Sequence, residues 1–253
     1  MSRIDESLPS AEMQSAAAGA QRGRRALLGL FGATAASALW GRDVAAQARD
    51  APAEVCVVRP RQTEGPYFID EQLERADIRS DPTTGSVAAG VPLRIAFQVS
   101  RLEANACVPL AGAIVDVWQC NAEGVYAGVR DFAGHFDASG RKFLRGYQKT
   151  NSGGVAEFLT IYPGWYPGRT VHIHFKVRTA LARDAKEFTS QLYFDDALSD
   201  QVFTRAPYAG RGRRAVTNAN DGLYRRGGDQ LRLALSPQGD GYAGTFALAL
   251  QLG

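Results

Sequence analysis

Past residue 90, apolar and polar positions alternate with a period of two through most of the chain. Val91 to Val99 sets Leu93, Ile95, Phe97 and Val99 against Arg94, Ala96 and Gln98. Ala113 to Gln119 is apolar on both faces except at Asp116. Val155 to Ile161 follows Tyr147-Gln148-Lys149 across Asn151-Ser152-Gly153-Gly154, a spacing that predicts a β-hairpin. From 171 to 177, Val171, Ile173, Phe175 and Val177 oppose His172, His174 and Lys176. Glu187 to Phe194 puts Gln191 and Tyr193 on one face and Leu192 and Phe194 on the other. Leu231, Leu233 and Leu235 alternate, as does Tyr242 to Leu250, which predicts two closing strands. Alternation rich in β-branched and aromatic residues marks strands with one buried face. No convincing amphipathic helix and no fixed-period repeat interrupts them. Short strands joined by Gly/Pro turns predict an all-β fold: a β-sandwich of mostly antiparallel strands with no substantial helical domain.

The first 46 residues have a different character. Residues 1–21 are polar and Ala-rich, without a usable period. Arg22, Arg24 and Arg25 then precede an apolar run over 26–40, and Val44, Ala45 and Ala46 supply a small-residue exit. That order predicts a secretory signal ending at Ala46, and adjacent Arg24 and Arg25 give it a twin-arginine form. The expected organisation is therefore a signal over 1–46 and a single β-sandwich domain over 47–253, exported to the periplasm or the medium. No run of 18 or more apolar residues exists, so the sequence offers no ordinary membrane span. With 29 Lys+Arg against 26 Asp+Glu, the formal charge of +3 gives no footprint for nucleic acid.

Export changes the reading of the cysteines. Three remain after residue 46, and an odd count in an oxidising compartment predicts one disulfide and one free thiol. Cys56 and Cys107, in Pro-containing connections outside the predicted strands, are the favoured pair, leaving Cys120 free. No C-x-x-C spacing supports a cysteine-bound zinc. Arg205, Arg211, Arg213 and Arg214 crowd a Gly-rich segment that could bind an anion, although a solvated surface loop is the favoured reading.

The chemistry concentrates around residues 160–178. At the usual rise of a strand, His172 and His174 project from one face with Cα atoms about 6.6 Å apart, a separation that suits two imidazoles closing on one metal. Two half-exposed histidines on a core strand would be the plainer reading of His-x-His alone. The turn Tyr162-Pro163-Gly164-Trp165-Tyr166-Pro167-Gly168 shifts the balance, because its prolines and glycines fix where Tyr166 points. Cys120 to Tyr126 is a second turn that delivers a tyrosine, and Gly65-Pro66 fixes the direction of Tyr67. The candidate ligands are thus Tyr126, Tyr166, His172 and His174. A phenol ionises near pH 10 unless a strong cation lowers that value. Hard anionic oxygens favour Fe(III) over zinc or copper.

Three segments together resemble the intradiol ring-cleavage dioxygenases, the ferric enzymes typified by catechol and protocatechuate dioxygenases. They are Trp118 to Tyr126, Thr160 to Pro167, and Arg169 to His174, in that order within a match from about Gln62 to Phe194. The resemblance implies Tyr126 and Tyr166 as tyrosinate ligands and His172 and His174 as histidine ligands of Fe(III). It implies that Arg169 stabilises charge on a bound diol, that Gln191 lies close to the reacting ring carbon, and that Tyr67 lines the pocket wall. The implied partners are a small aromatic diol and O2, and the implied product is a muconate-type diacid. The sequence differs from the catechol-cleaving branch in three ways. Only five residues separate Tyr166 from His172, the helical dimerisation segment is missing, and an export signal is present. These leave the diol and the oligomeric state open, a homodimer included. Three other readings compete: a zinc hydrolase using His135, His172 and His174; ferrous extradiol chemistry with Asp184 or Glu187; and an exported sandwich that binds aromatic or carbohydrate material without turnover.

Overall fold

The computed structural model describes residues 56–104 and 106–252. The predicted signal over 1–46 and its boundary with the domain lie outside the described residues. Two sheets face each other across one apolar core. Strand β1 (Pro92–Glu103) carries the larger sheet because its buried positions alternate as the sequence predicts, with Leu93, Ile95, Phe97 and Val99 all turned inward. On one side it pairs antiparallel with β2 (Ala106–Pro109) and with β5 (Val155–Ile161). On its other side β9 (Gly241–Leu250) runs parallel to it, from Leu93 opposite Tyr242 to Arg101 opposite Leu250. A short β8 (Ser236–Gln238) closes that edge. The smaller sheet has the order β4 (Arg145–Lys149), β3 (Ile114–Trp118), β6 (His172–Arg178) and β7 (Glu187–Tyr193), antiparallel throughout. The all-β sandwich stands, with one parallel pair in an otherwise antiparallel set. The only α-helix among the described residues, α1 (Asp196–Val202), is capped by Asp195, whose carboxylate accepts from Leu198 N at 3.0 Å.

Aromatic rings from opposite sheets hold the sandwich together. Phe97 of β1, Phe175 of β6 and Phe246 of β9 have ring centroids 5.2–6.2 Å apart, and Phe158 and Phe188 extend the cluster. Rings of this size dominate core energetics through the area they remove from water.

Three local expectations change. The Asn151–Gly154 turn is tight, with Asn151 N donating to Val155 O at 2.9 Å and Gly154 at φ +77°. It joins β4 of one sheet to β5 of the other, so it is a corner between sheets and not a hairpin. Turn chemistry specifies a local reversal but not which ladder each arm enters. Leu231, Leu233 and Leu235 form no strand. Residues Gly228–Leu231 make a 3-10 turn, and only an isolated bridge joins Arg232 to Tyr193. Leu231 and Leu233 alternate because they are buried, without a ladder to belong to. Cys56 and Cys107 are disulfide-bonded and Cys120 is free, as expected, but Cys107 lies in β2 and not in a connection.

Candidate active site

Strand β6 is buried on both faces. Ile173, Phe175 and Val177 face the core, while His172, His174, Lys176 and Arg178 lie beneath residues 62–70, which cross the outside of the sheet. That crossing segment is held along its length. Gln62 N donates to Thr189 O at 3.1 Å, Glu64 pairs with Lys176 at 2.5 Å, and Asp70 pairs with Arg178 at 2.9 Å. Phe68 packs on Trp118 with centroids 4.7 Å apart and lies under the Lys176 ammonium at 4.0 Å. Gly65, at φ +72°, passes so close to the His174 ring that a Cβ there would lie 3.1 Å from Cε1. The histidines are therefore not the half-exposed pair of the plainer reading.

Sheet register places the neighbours of the two imidazoles. Trp118 and Gln191 flank His174 on the adjacent strands, and Tyr193 is opposite His172. Trp118 stacks on His174 at 5.1 Å with 7° between the planes. Two turns bring in the phenols. The 121–125 turn is closed by Asn121 N donating to Val125 O at 2.9 Å, and it leads directly into Tyr126. The 162–168 turn fits against it only because residue 164 is glycine: a Cβ at Gly164 would meet Ala122 O at 2.4 Å. Arg211 bridges the two turns, donating through Nη1 to Ala122 O at 3.1 Å and to Trp165 O at 2.6 Å, with its guanidinium 4.3 Å over the Trp165 ring.

Four donor atoms converge as a result. His172 Nε2 lies 3.1 Å from His174 Nε2, 3.1 Å from Tyr166 Oη and 3.4 Å from Tyr126 Oη. A metal about 2.0–2.2 Å from each of its nitrogen and oxygen ligands leaves neighbouring ligands roughly 3 Å apart, which matches these separations. His172 Nδ1 lies 2.7 Å from Thr170 O, which can only accept, so Nδ1 carries the proton and the lone pair of Nε2 faces the cluster. His174 Nδ1 is buried with no partner, the one unsatisfied polar atom in the group. Burial, with the Arg169 charge, pushes His172 down to about 3; burial, with His172 and Arg169, holds His174 well below its ordinary value. Burial pushes both phenols up, Tyr126 well above its ordinary value and Tyr166 despite the pull of Arg169. The group is thus two neutral imidazoles and two phenols that ionise only beside a strong cation.

Beside the cluster, Arg169 donates through Nη2 to Gln191 Oε1 at 2.7 Å and to Tyr193 Oη at 3.3 Å. Burial lowers its affinity for a proton, but Tyr166 and Asp221 more than restore it, leaving Arg169 above its ordinary value. Gln191 is oriented by its own amide, which donates to Thr63 O at 3.0 Å. Tyr67 stacks on Tyr126 at 4.6 Å and stands edge-on to Tyr166 at 6.2 Å, while its hydroxyl donates to Asp131 at 2.7 Å. Burial and that carboxylate push Tyr67 up to about 12.

The structure thus brings Tyr67, Tyr126, Tyr166, Arg169, His172, His174 and Gln191 into one neighbourhood. His135 is not part of it. Its side chain is 64% exposed and its Nδ1 pairs with Asp131 at 2.7 Å. Among the described residues no three or more His, Cys, Asp or Glu side chains come together as a metal-binding group, which removes the zinc reading. Glu187 is engaged at 3.4 Å by Lys176 and not by the histidines. The arginine-rich segment is largely exposed, Arg205 and Arg213 included, as a solvated loop predicts, but two of its arginines have structural partners. Arg211 clamps the tyrosine turns, and buried Arg214 pairs with Asp196 at 2.6 Å and Asp200 at 3.1 Å. Three supporting residues escaped sequence reasoning: Asp131, Asp221 and Arg145, whose guanidinium donates to the carbonyls of Tyr67 and Ala127. Asp221 lies in Thr217-Asn218-Ala219-Asn220-Asp221-Gly222, whose composition signals a turn but not what the turn supports.

Comparison with known proteins follows the same residues. A family profile described as "Dioxygenase" matches residues 63–220. Catechol 1,2-dioxygenase 1 of Acinetobacter lwoffii is 29% identical over 150 residues, covering 49% of this chain and 43% of that protein. The protocatechuate 3,4-dioxygenase beta chain of Burkholderia cepacia is 33% identical over 169 residues, covering 61% of this chain and 68% of that one. Among solved structures, an intradiol ring-cleavage dioxygenase from Tetranychus urticae superposes with a TM-score of 0.67 and 32% identity, over 78% of this chain and 95% of that chain.

Proposed function

The chain belongs to the intradiol ring-cleavage dioxygenases, and from that premise we propose that it opens a catechol-type diol with O2 at a non-haem Fe(III) centre held by Tyr126, Tyr166, His172 and His174. The observation that carries this reading is the convergence of two phenol oxygens and the Nε2 of His174 to within 3.1–3.4 Å of His172 Nε2. Hard oxygen donors beside neutral imidazoles fit a trivalent iron, which supplies the Lewis acidity and redox character that the reaction of a diol with O2 needs. Both atoms of O2 enter the product, so a catechol gives a muconate-type diacid with no other reductant or oxidant.

The remaining steps fall to this chain's own residues. Tyr126 is fully buried and fixed by its stack on Tyr67, whereas Tyr166 is only half-buried. Tyr166 is therefore the phenol free to move as the diol enters; ionised beside a bound metal, its oxygen would take a proton from a diol hydroxyl and leave as a neutral phenol. Among the described residues no acceptor engages Nη1 of Arg169, so that group can meet negative charge as it grows on the substrate. Gln191, held by Arg169 and Thr63, presents a fixed dipole beside the ring. Trp118, Phe68 and Tyr67 keep the imidazole edge of the site dry, which strengthens each of these interactions.

The test is direct. Purified protein should hold about one iron per chain, absorb visible light, and consume one O2 per diol cleaved. A panel of catechol, hydroxyquinol, protocatechuate, and alkyl- and chlorocatechols would identify the diol. Folded protein that stays colourless and iron-free when made in iron-replete cells would overturn the reading.

We propose further that residues 1–46 export the protein by the twin-arginine route. The motif at Arg24-Arg25 supports this, as does the Cys56–Cys107 disulfide, which belongs in an oxidising compartment. Changing both arginines to lysine should leave a folded, coloured precursor in the cytoplasm; normal export of that variant would refute it.

A further inference from the structure

Asp221 is fully buried, and nothing in the sequence marks it as part of the site. Both oxygens of its carboxylate are occupied. Oδ2 accepts from Arg169 Nε at 2.8 Å and from Thr170 N at 2.8 Å. Oδ1 accepts from Leu223 N at 2.7 Å and from Tyr224 N at 2.8 Å, which fixes the carboxylate to its own turn. The same turn holds Thr170 a second time, because Thr170 Oγ1 donates to Asn218 Oδ1 at 2.8 Å. Asn218 in turn donates to Phe194 O at 2.7 Å, just past the end of β7.

Arg169 needs such an anchor. It sits at the end of the Tyr166–Gly168 turn, where Gly168 is at φ +88° and the backbone by itself does not determine where a long side chain points. With Nε tied to Asp221 and Nη2 tied to Gln191, the plane of the guanidinium is set from two sides. Among the described residues Nη1 is left as the donor without a protein acceptor.

We propose that Asp221 is the positioning residue for Arg169: it takes no part in the chemistry, and it aims the guanidinium at the diol. This rests on the role given to Arg169 above. The anchoring carboxylate is buried and bonds the Nε edge, so it steadies the cation without covering the face that would meet substrate. A free arginine would lose side-chain freedom each time it stabilised developing charge, whereas one already fixed loses little.

A double-mutant cycle tests the inference. In Asp221→Asn the backbone amides of Leu223 and Tyr224 retain the single oxygen, so the new amide turns its N–H groups toward Arg169 Nε and Thr170 N. Arg169 is released. Iron content and the resting visible band, read first on wild type and variants, report on the metal centre independently of this claim. With these unchanged, kcat should fall by about 10² with KM little moved, close to the loss in Arg169→Ala. Adding Asp221→Asn to Arg169→Ala should cost nothing further, since the residue to be aimed is gone. Losses that multiply in the double variant would overturn the inference, as would wild-type kcat in Asp221→Asn. If that variant does not fold, Asp221→Glu keeps the charge but displaces the acceptor by one methylene. The same cycle then applies, with an expected fall of about tenfold and the same non-additivity. A colourless wild type would instead count against the proposed function, so the two failures are distinguishable.

Discussion

Replacing Gly65 by alanine separates two effects that usually arrive together. Gly65 has φ +72°, and an alanine there costs about 1–2 kcal/mol in backbone strain. For a domain of this size that strain lowers the melting temperature by roughly 2–8 °C. The added methyl would also lie 3.1 Å from His174 Cε1, close enough that the ring must shift by a few tenths of an ångström. Trp118, stacked on the ring at 5.1 Å with only 7° between the planes, limits that shift on one face. Gly85 at φ +73° and Gly140 at φ +75° supply the control, since a Cβ at either would meet nothing within 4 Å. All three alanine variants should therefore lose thermal stability when measured without metal, Gly65→Ala the most because its methyl also presses on His174. Only Gly65→Ala should lose metal affinity, by about tenfold or more, as expected when a group that orients a metal-binding histidine is disturbed. Chelator competition on the three variants gives the comparison. If Gly65→Ala binds iron as tightly as Gly140→Ala, the close approach of residues 62–70 does not set the position of His174.

Tyr126→Phe should fold, since the stack on Tyr67 needs only the ring, but its visible band should bleach or shift because one charge-transfer donor is gone. Arg211→Ala leaves the carbonyls of Ala122 and Trp165 without their donor, which should cost about 1–3 kcal/mol in thermal or denaturant unfolding. It should also weaken iron binding by loosening both tyrosine turns; unchanged affinity would show that each turn holds its phenol unaided. Cys56→Ser opens a loop spanning 51 residues, worth about 4 kcal/mol by the chain-entropy argument, while the resting band should stay the same.

What could be read from the sequence was whatever is encoded within a few residues. The faces of β1, β6 and β7 follow from alternation, and the direction of Tyr166 from its prolines and glycines. Leu231 and Leu233 show the limit: they alternate as a strand does, yet burial alone explains them. The Asn151–Gly154 turn shows another, because its geometry is local but the choice of sheet for each arm depends on where Phe97 and Phe158 must pack. The partners of Arg211 and Arg214 in the arginine-rich segment were hidden for the same reason. Arg211 acts on carbonyls of residues 122 and 165, and no local pattern announces a partner that far away. Asp221 and Asp131 are separated from the side chains they orient by 52 and 64 residues and sit in ordinary turn sequences.

The crossing segment explains why the order of charges on β6 matters to the site. His172, His174, Lys176 and Arg178 share one face, so the strand that presents two neutral imidazoles at one end presents two cations at the other. Buried cations are tolerated only when paired, and removing one partner costs about 3–5 kcal/mol. Glu64 answers Lys176, while Asp70 and Asp116 answer Arg178. These pairs fix the register of residues 64–70 along the strand. Once that register is fixed, Gly65 falls against His174 and Tyr67 onto Tyr126. A slip of one residue would set Glu64 or Pro66 where only glycine fits and would remove Tyr67 from its stack. The ion pairs at the far end of β6 therefore set the geometry of the site as well as supporting the fold.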